Sequence, residues 1–368
     1  MSSDTSQADL SAPATGSRPA PRFHYPLPMP EVSHVPSGVA AEVTTWKESY
    51  GFLEDRPDSG NRGSVLAWCL GRFSTPQTPP AVLRGIGCIT EWALVLDDDV
   101  LDHADARSRP GDLFRLMCRV MRVLESPGYR VTADDHLLVR AGHDAMEQLR
   151  TACAPAHTTR LATGFRRLLT SAVHKLHLDR PGEDEYLFSR FQDFGGPVYA
   201  VLIDMCGPGP TPDEEWDSPT VQALIECVTL MCALENDVTS FHKEKAEGQP
   251  STNFVDVLRT GRGASFDRAV ALTVEIRDRL MLLFLQLRER LLTPAATPSL
   301  RYLVEGLGQF VIANTEATLC ARRYNPLPVR LPRLDQVIRT PAFWAPSLST
   351  DDTSPLPYPS ISWWWDHR

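Results

Sequence analysis

The run Asp97-Asp98-Asp99-Val100-Leu101-Asp102 places four carboxylates at the end of the otherwise apolar stretch Cys88-Ile89-Thr90-Glu91-Trp92-Ala93-Leu94-Val95-Leu96. At about 3.6 residues per turn, Asp98 and Asp102 share one helix face at i,i+4, with Asp97 and Asp99 flanking them. Like charges at that spacing repel, and the C-terminal end of a helix already carries partial negative charge. A solvated acidic helix end would tolerate such crowding. A hard divalent cation would use it, because magnesium takes oxygen ligands and bridges carboxylates to substrate phosphate.

A second polar constellation closes another long apolar helix. Val221, Leu224, Ile225, Val228, Leu230 and Leu234 give way to Asn236-Asp237-Val238-Thr239-Ser240-Phe241-His242-Lys243-Glu244. Asn236, Ser240 and Glu244 are spaced i, i+4, i+8, so an amide oxygen, a hydroxyl and a carboxylate line one stripe roughly 12 Å long. Two oxygen-rich clusters, each ending an apolar helix, suggest opposed rims of one cavity, with apolar walls below and metal ions at the mouth.

These clusters must be held by helices. Helical patterns succeed one another over 38–51, 62–72, 80–102, 111–126, 133–152, 156–178, 183–207 with a break, 218–246, 252–261, 265–292 and 297–322, and no strand-period segment of any length competes with them. The fold class is therefore all-α: a single large bundle of about ten helices. Ser218 and Pro219 suit a cap and a first helical position. The run Leu280-Met281-Leu282-Leu283-Phe284-Leu285 is apolar all round and reads as deeply buried. Residues 1–22 hold too little apolar surface to offset the entropy of ordering and read as a disordered tail. From Phe23 to Pro36, aromatics alternate with prolines, which suits an extended strap over the helical body. The domain proper is expected over 23–330, followed by a C-terminal extension, 331–368. Its Trp363-Trp364-Trp365 either packs over the domain or covers the entrance to its site.

With 368 residues, 42% of them hydrophobic, the chain can bury a large core. A net charge of −9 with no basic face argues against nucleic acid. The eight cysteines form no C-x-x-C pair and read as buried thiols in a reducing cytoplasm. The N-terminus does not read as a signal peptide or anchor, and no uninterrupted apolar stretch of about 18 residues appears, so stable membrane insertion is not expected.

At this point the sequence resembles the class I terpene synthases of the bacterial type. The aspartate-rich motif reads as DDxxxD from Asp97, Asp98 and Asp102, or as DDxxD from Asp98, Asp99 and Asp102, and Trp92 five residues before Asp97 favours the first register. Asn236, Asp237, Ser240, Lys243 and Glu244 match the family's NDxxSxxKE motif. Arg190 stands 46 residues before Asn236, the spacing of the family's pyrophosphate-sensing arginine. Its surroundings, Tyr186 through Pro197, resemble the family's broken helix, and Arg323-Tyr324 supplies the expected terminal pair. Asn253 with Val255, Asp256, Val257 and Leu258 resembles the helix that follows the metal triad. Read from Asp97, the shorter motif would have Leu101 in the place of its third Asp, and the segment after Arg190 carries one residue more than the commonest pattern.

The resemblance implies a magnesium-dependent cyclase that ionises a linear prenyl diphosphate, farnesyl or geranylgeranyl, and cyclises the carbocation to a hydrocarbon or alcohol. Asp97, Asp98 and Asp102 would hold metal on one rim and Asn236, Ser240 and Glu244 on the other, with three magnesium ions around the bound diphosphate. Arg190, Lys243, Arg323 and Tyr324 would donate to the diphosphate. Arg190 would pass its binding through Asp193 to the break, where Phe194 or Gly195 presents the effector carbonyl. Trp68, Trp92 and Phe194 are candidate aromatic walls for a cation. A cytoplasmic homodimer is expected from the resemblance. The alternatives are a chain-elongating prenyltransferase, which would carry a second aspartate-rich motif in place of Asn236-Asp237-Val238-Thr239-Ser240, and a non-catalytic isoprenoid-binding helical protein.

Overall fold

The computed structural model describes residues 22–28, 37–52, 70–101, 109–178, 180–246, 253–320 and 344–368. Within them the helices are α1 (Ser37–Ser49), α2 (Pro80–Leu96), α3 (Pro110–Glu125), α4 (Leu137–Ala152), α5 (Pro155–His177), α6 (Glu183–Asp193), α7 (Gly196–Met205), α8 (Asp213–Trp216), α9 (Pro219–Ala246), α10 (Phe254–Arg262), α11 (Phe266–Leu291), α12 (Pro298–Cys320) and α13 (Pro359–Ser362). No strand forms among the described residues; the extended pairing they contain is a parallel bridge between Phe23 and Trp344. The all-α bundle expected from the sequence is the fold.

Local chemistry sets the helix ends. Proline opens α2, α3 and α5, where a missing N–H costs nothing and the fixed φ favours the first turn. Asn253 and Ser265 cap α10 and α11 by accepting from Val255 N and Arg268 N. The centre is α9, whose Val221, Leu224, Val228, Leu230, Met231 and Leu234 are all buried. A helix apolar on every side needs neighbours on every side, and α6, α7, α10, α11 and α12 surround this one. In α11, Leu280, Met281, Leu283 and Phe284 are buried, as their uninterrupted apolar run requires.

On the other side of the bundle, α2 lies against α1 and α4. Buried ion pairs cross the body, Arg72 with Glu316 among them, and two more bear on the elements above. Lys47 Nζ lies 2.8 Å from Glu91 between α1 and α2. Arg277 of α11 donates to Glu235 of α9 at 2.7 Å, while its Nη1 donates to the His24 carbonyl at 2.8 Å. The second pair ties down residues 22–28, which run extended over the bundle, with Phe23 buried and Tyr25 hydroxyl 2.7 Å from that of Thr315.

One sequence expectation needs correcting. Cys118 is exposed on the outer side of amphipathic α3 and Cys153 is half-buried at the end of α4, whereas Cys88, Cys206, Cys227 and Cys232 are buried. No described helix is long and apolar enough to cross a membrane.

Candidate active site

The polar end of α9 forms a built site. Arg190 of α6 reaches across to it, with Nε and Nη2 donating to Asp237 Oδ1 at 3.1 and 2.8 Å and Nη2 donating to the Asn236 amide oxygen at 3.2 Å. Its Nη1 donates to Asp193 Oδ1 at 3.2 Å, one turn along α6. The other Asp237 oxygen accepts from the Tyr186 hydroxyl at 2.7 Å and from Phe254 N at 3.1 Å. Burial pushes the Asp237 carboxyl up to about 6, against the opposing pull of Arg190. Burial likewise works against the Arg190 charge, but Asp237 and Asp193 more than offset it and keep the guanidinium protonated. Lys175 of α5 approaches Asp193 Oδ2 at 3.5 Å.

Further along the stripe, the Ser240 hydroxyl donates to Glu244 Oε1 at 2.6 Å, and Asn253 Nδ2 donates both to Glu244 Oε2 at 3.0 Å and to the Asp237 carbonyl at 2.7 Å. Asn253 therefore caps α10 with its oxygen and orients a carboxylate of α9 with its nitrogen. Asn236, Ser240 and Glu244 thus present an amide oxygen, a hydroxyl and a carboxylate with no thiolate or imidazole among them. That donor set fits a hard divalent cation such as magnesium and does not suit zinc. Among the described residues no trio of His, Cys, Asp or Glu gathers as a metal site, in keeping with a stripe that uses only one carboxylate.

The break between α6 and α7 follows from two glycines. Gly195 has φ of 78°, a left-handed conformation that an L side chain rarely adopts. At Gly196 a Cβ would fall 1.6 Å from Thr229 Oγ1 of α9, so the start of α7 can press against α9 only without a side chain. The Gly195 carbonyl accepts from Val198 N at 2.9 Å and Tyr199 N at 3.1 Å, the first bonds of α7. Phe194 turns its ring beneath Arg190, 5.3 Å from the guanidinium carbon.

At the end of α2, the chain does not continue as a regular α-helix through the aspartates. Asp97–Leu101 form a π-turn, a widening frequent at functional sites. Such a turn closes its hydrogen bonds over five residues instead of four. Asp97 is half-buried at its start. The side chains of Asp98, Asp99 and Lys243, and Trp68, Asp102, Arg323 and Tyr324 as whole residues, lie outside the described residues.

Trp92 is a correction. It is completely buried between α2 and α4, with its indole N–H donating to the Leu138 carbonyl at 2.8 Å and its ring edge-on to Phe165 at 5.3 Å. A side chain with no accessible surface lines no cavity, and Trp92 is a packing residue.

Asp237, Tyr186 and Lys175 had no assigned role in the sequence. A signal for Asp237 existed: Leu230, Leu234, Asp237 and Phe241 follow the 4-3-4 spacing of a buried stripe, so a carboxylate stands where an apolar side chain belongs and requires a cationic partner.

Comparison with known proteins extends this geometry. Residues 89–282, spanning both oxygen-rich runs, match the family model described as terpene synthase family 2, C-terminal metal binding. Spiroviolene synthase of Streptomyces violens is 31% identical over 280 residues, covering 75% of this chain and 76% of that protein. (+)-T-muurolol synthase ((2E,6E)-farnesyl diphosphate cyclizing) of Streptomyces clavuligerus is 27% identical over 345 residues, covering 92% of this chain and 80% of that one. The crystal structure of the SVS_A2 protein from ancestral sequence reconstruction superposes with a TM-score of 0.78 at 26% identity, covering 94% of this chain and 98% of that one. A polar rim organised around Arg190 and Asn236, a broken helix beside it and a family match across both belong together: the chain is a member of terpene synthase family 2, a class I terpene synthase of the bacterial type.

Proposed function

We propose that this chain is a magnesium-dependent cyclase of farnesyl or geranylgeranyl diphosphate, with Asn236, Ser240 and Glu244 holding metal on one rim, Asp97, Asp98 and Asp102 on the other, and three ions in all. The observation that carries the reading is the bridge from Arg190 to both Asn236 and Asp237, which joins the diphosphate-sensing side chain to the metal-binding stripe. Held by these residues, a divalent ion would supply positive charge to offset that of the departing diphosphate.

The chain's own residues do the rest. Arg190, fixed by Asp237, donates to the diphosphate at a site preorganised before substrate arrives. Lys243, Arg323 and Tyr324 add donors around the same group. When Arg190 shifts toward the diphosphate, its bond to Asp193 carries the change to the residue that ends α6. Of the two candidates for the effector carbonyl, the occupied Gly195 oxygen favours Phe194. The Phe194 ring, already beneath a guanidinium, offers a π face to a second cation. Trp68 remains a candidate wall. We further assign the enzyme to the cytoplasm and to a homodimer, as the family resemblance implies.

The decisive experiment incubates purified protein with magnesium and each of the ten-, fifteen- and twenty-carbon prenyl diphosphates and resolves products by gas chromatography with mass detection. A cyclic hydrocarbon or alcohol from the fifteen- or twenty-carbon substrate is expected. A longer prenyl diphosphate, formed when the five-carbon co-substrate is added, would replace this reading with chain elongation. Unchanged substrates with folded protein would overturn it.

A further inference from the structure

The C-terminal segment is fastened along the helical body on both sides of its contact with α6. Ala345 N donates to the Phe23 carbonyl at 3.0 Å. Ser349 N donates to Asp278 of α11 at 2.7 Å, and Arg279 and Arg290 of the same helix donate to the carbonyls of Pro355 and Arg368 at 3.1 and 2.7 Å. The segment then meets α6 at both ends. The Tyr358 hydroxyl donates to Glu183 at 2.6 Å, and the backbone N–H and hydroxyl of Ser360 donate to Asp184 at 3.0 and 2.8 Å. Both acceptors lie in the first turn of α6. Toward the other end, Trp364 lies edge-on to Phe191 at 6.0 Å and donates its indole N–H to Glu226 of α9 at 2.9 Å. Trp364 has no accessible surface.

Phe191 directly follows Arg190, about 100° around the helix from it. An 11-residue helix has little stability of its own, so its position is set by what packs on it. Asp237 grips the Arg190 side through polar bonds. Besides that grip, the Ser171 hydroxyl of α5 donates to the Ser189 carbonyl at 3.0 Å and Arg262 of α10 pairs with Glu183 at 2.6 Å, and the contacts on the Phe191 side complete the set that fixes roll, the coordinate that decides how far Arg190 and Asp193 reach toward the metal stripe.

We infer that the C-terminal segment is a positioning strap for α6, and that Trp364, Tyr358 and Ser360 set the roll of that helix and hence the reach of Arg190. The inference rests on the proposed role of Arg190 for its catalytic consequence alone; the mechanical claim stands apart from it. A positioning contact of this kind affects turnover on the order of tenfold or more.

The test uses the full-length chain, as Trp364→Ala, Trp364→Phe and the double variant Tyr358→Phe/Ser360→Ala. Hydrogen exchange is followed on the amides of residues 183–195, with those of α2 and α4 as internal reference, beside steady-state kinetics with magnesium and the prenyl diphosphate that the wild type consumes. In Trp364→Ala, exchange is expected to rise in α6 with α2 and α4 unchanged, and kcat to fall on the order of tenfold with KM changed far less. Trp364→Phe, which keeps the ring contact with Phe191, is expected to recover most of the loss. The double variant, which leaves the buried tryptophan in place, is expected to show the same α6 signature in smaller degree and keeps the test open if Trp364→Ala does not fold. Unchanged α6 exchange in the double variant, or a wild-type kcat in either folded variant alongside a lower melting temperature, would overturn the strap. A wild type that consumes no prenyl diphosphate overturns the cyclase reading instead, and the exchange data still decide whether the tail holds α6.

Discussion

Helices α2 and α9 are built alike and end differently. Each has an apolar body, a buried carboxylate within it and a cluster of oxygen donors at its C-terminal end. In α9 the donors are woven into the protein: Asn236 and Asp237 bind Arg190, and Glu244 binds Ser240 and Asn253. In α2 the body is anchored by Trp92 and by the Glu91–Lys47 pair, and the end opens into a π-turn at Asp97–Leu101. The difference teaches a division of labour. The α9 end fixes Asn236, Glu244 and Arg190 with residues from α6 and α10, whereas the α2 end widens into a π-turn at the start of its aspartate run.

The largest effects should come from the donors themselves. Asn236→Ala is expected to lower kcat on the order of 10³-fold, because it removes a proposed metal ligand and a partner of Arg190 together. Asp98→Asn should also abolish turnover without unfolding the protein. The two should part in calorimetric titration with inorganic pyrophosphate and excess magnesium, where Asn236→Ala weakens binding more, since only it disturbs Arg190. Retained turnover in both variants would remove the metal-site assignment. Asp237→Asn comes next: with one of the two carboxylate partners of Arg190 made neutral, about 10- to 100-fold of activity is expected to be lost. The melting temperature should fall as well, because a largely buried guanidinium keeps only a neutral acceptor there. Unchanged kinetics in this variant would reduce Asp237 to a packing role.

Much of this comparison could be read in the sequence, because helices announce themselves locally. The pattern over 218–246 became α9 at Pro219–Ala246, and the break within 183–207 fell at Gly195, since periodicity, capping residues and a glycine pair are local signals. The Asn236, Ser240, Glu244 stripe was legible for the same reason. What stayed hidden has no local signature. The junction of Asp237 with Tyr186, Arg190 and Phe254 links four positions from three helices, and the docking of Trp364 on Phe191 joins residues 173 positions apart in the chain. The π-turn was hidden too, because an aspartate run reads equally well at 3.6 residues per turn. Trp92 shows the reverse error: proximity to a motif suggested a cavity wall, while tertiary packing made it core.

Trp92→Phe sharpens the α2 side of the comparison. Losing the indole N–H leaves the buried Leu138 carbonyl without its donor and opens a small void against Phe165, a cost of about 1–3 kcal/mol. A fall of several degrees in melting temperature with an unchanged product profile is expected. A changed product ratio at unchanged stability would return Trp92 to the cavity wall.

The smallest effect is expected in the body of α9, at Glu226. Burial raises its carboxyl above the usual range, with the Trp364 indole N–H pulling the other way. A carboxyl raised in the folded state binds its proton more tightly there than in the unfolded chain, so ionisation works against folding. The penalty is absent below the unfolded carboxylate range near pH 4, grows as pH rises through the folded value, and is constant above it. Glu226→Gln removes it while its amide oxygen still accepts from Trp364. Its melting temperature should therefore exceed the wild type's by about 1–2 °C at neutral pH, with the gap closing as the pH falls toward 4. Exchange in α6 should be unaltered, because the strap's bond survives. A wild type more stable than Glu226→Gln at neutral pH would mean that the ionised carboxylate is held by a cation, as Glu91 is by Lys47. The bodies of the two helices would then be anchored alike, leaving their difference entirely at the rims.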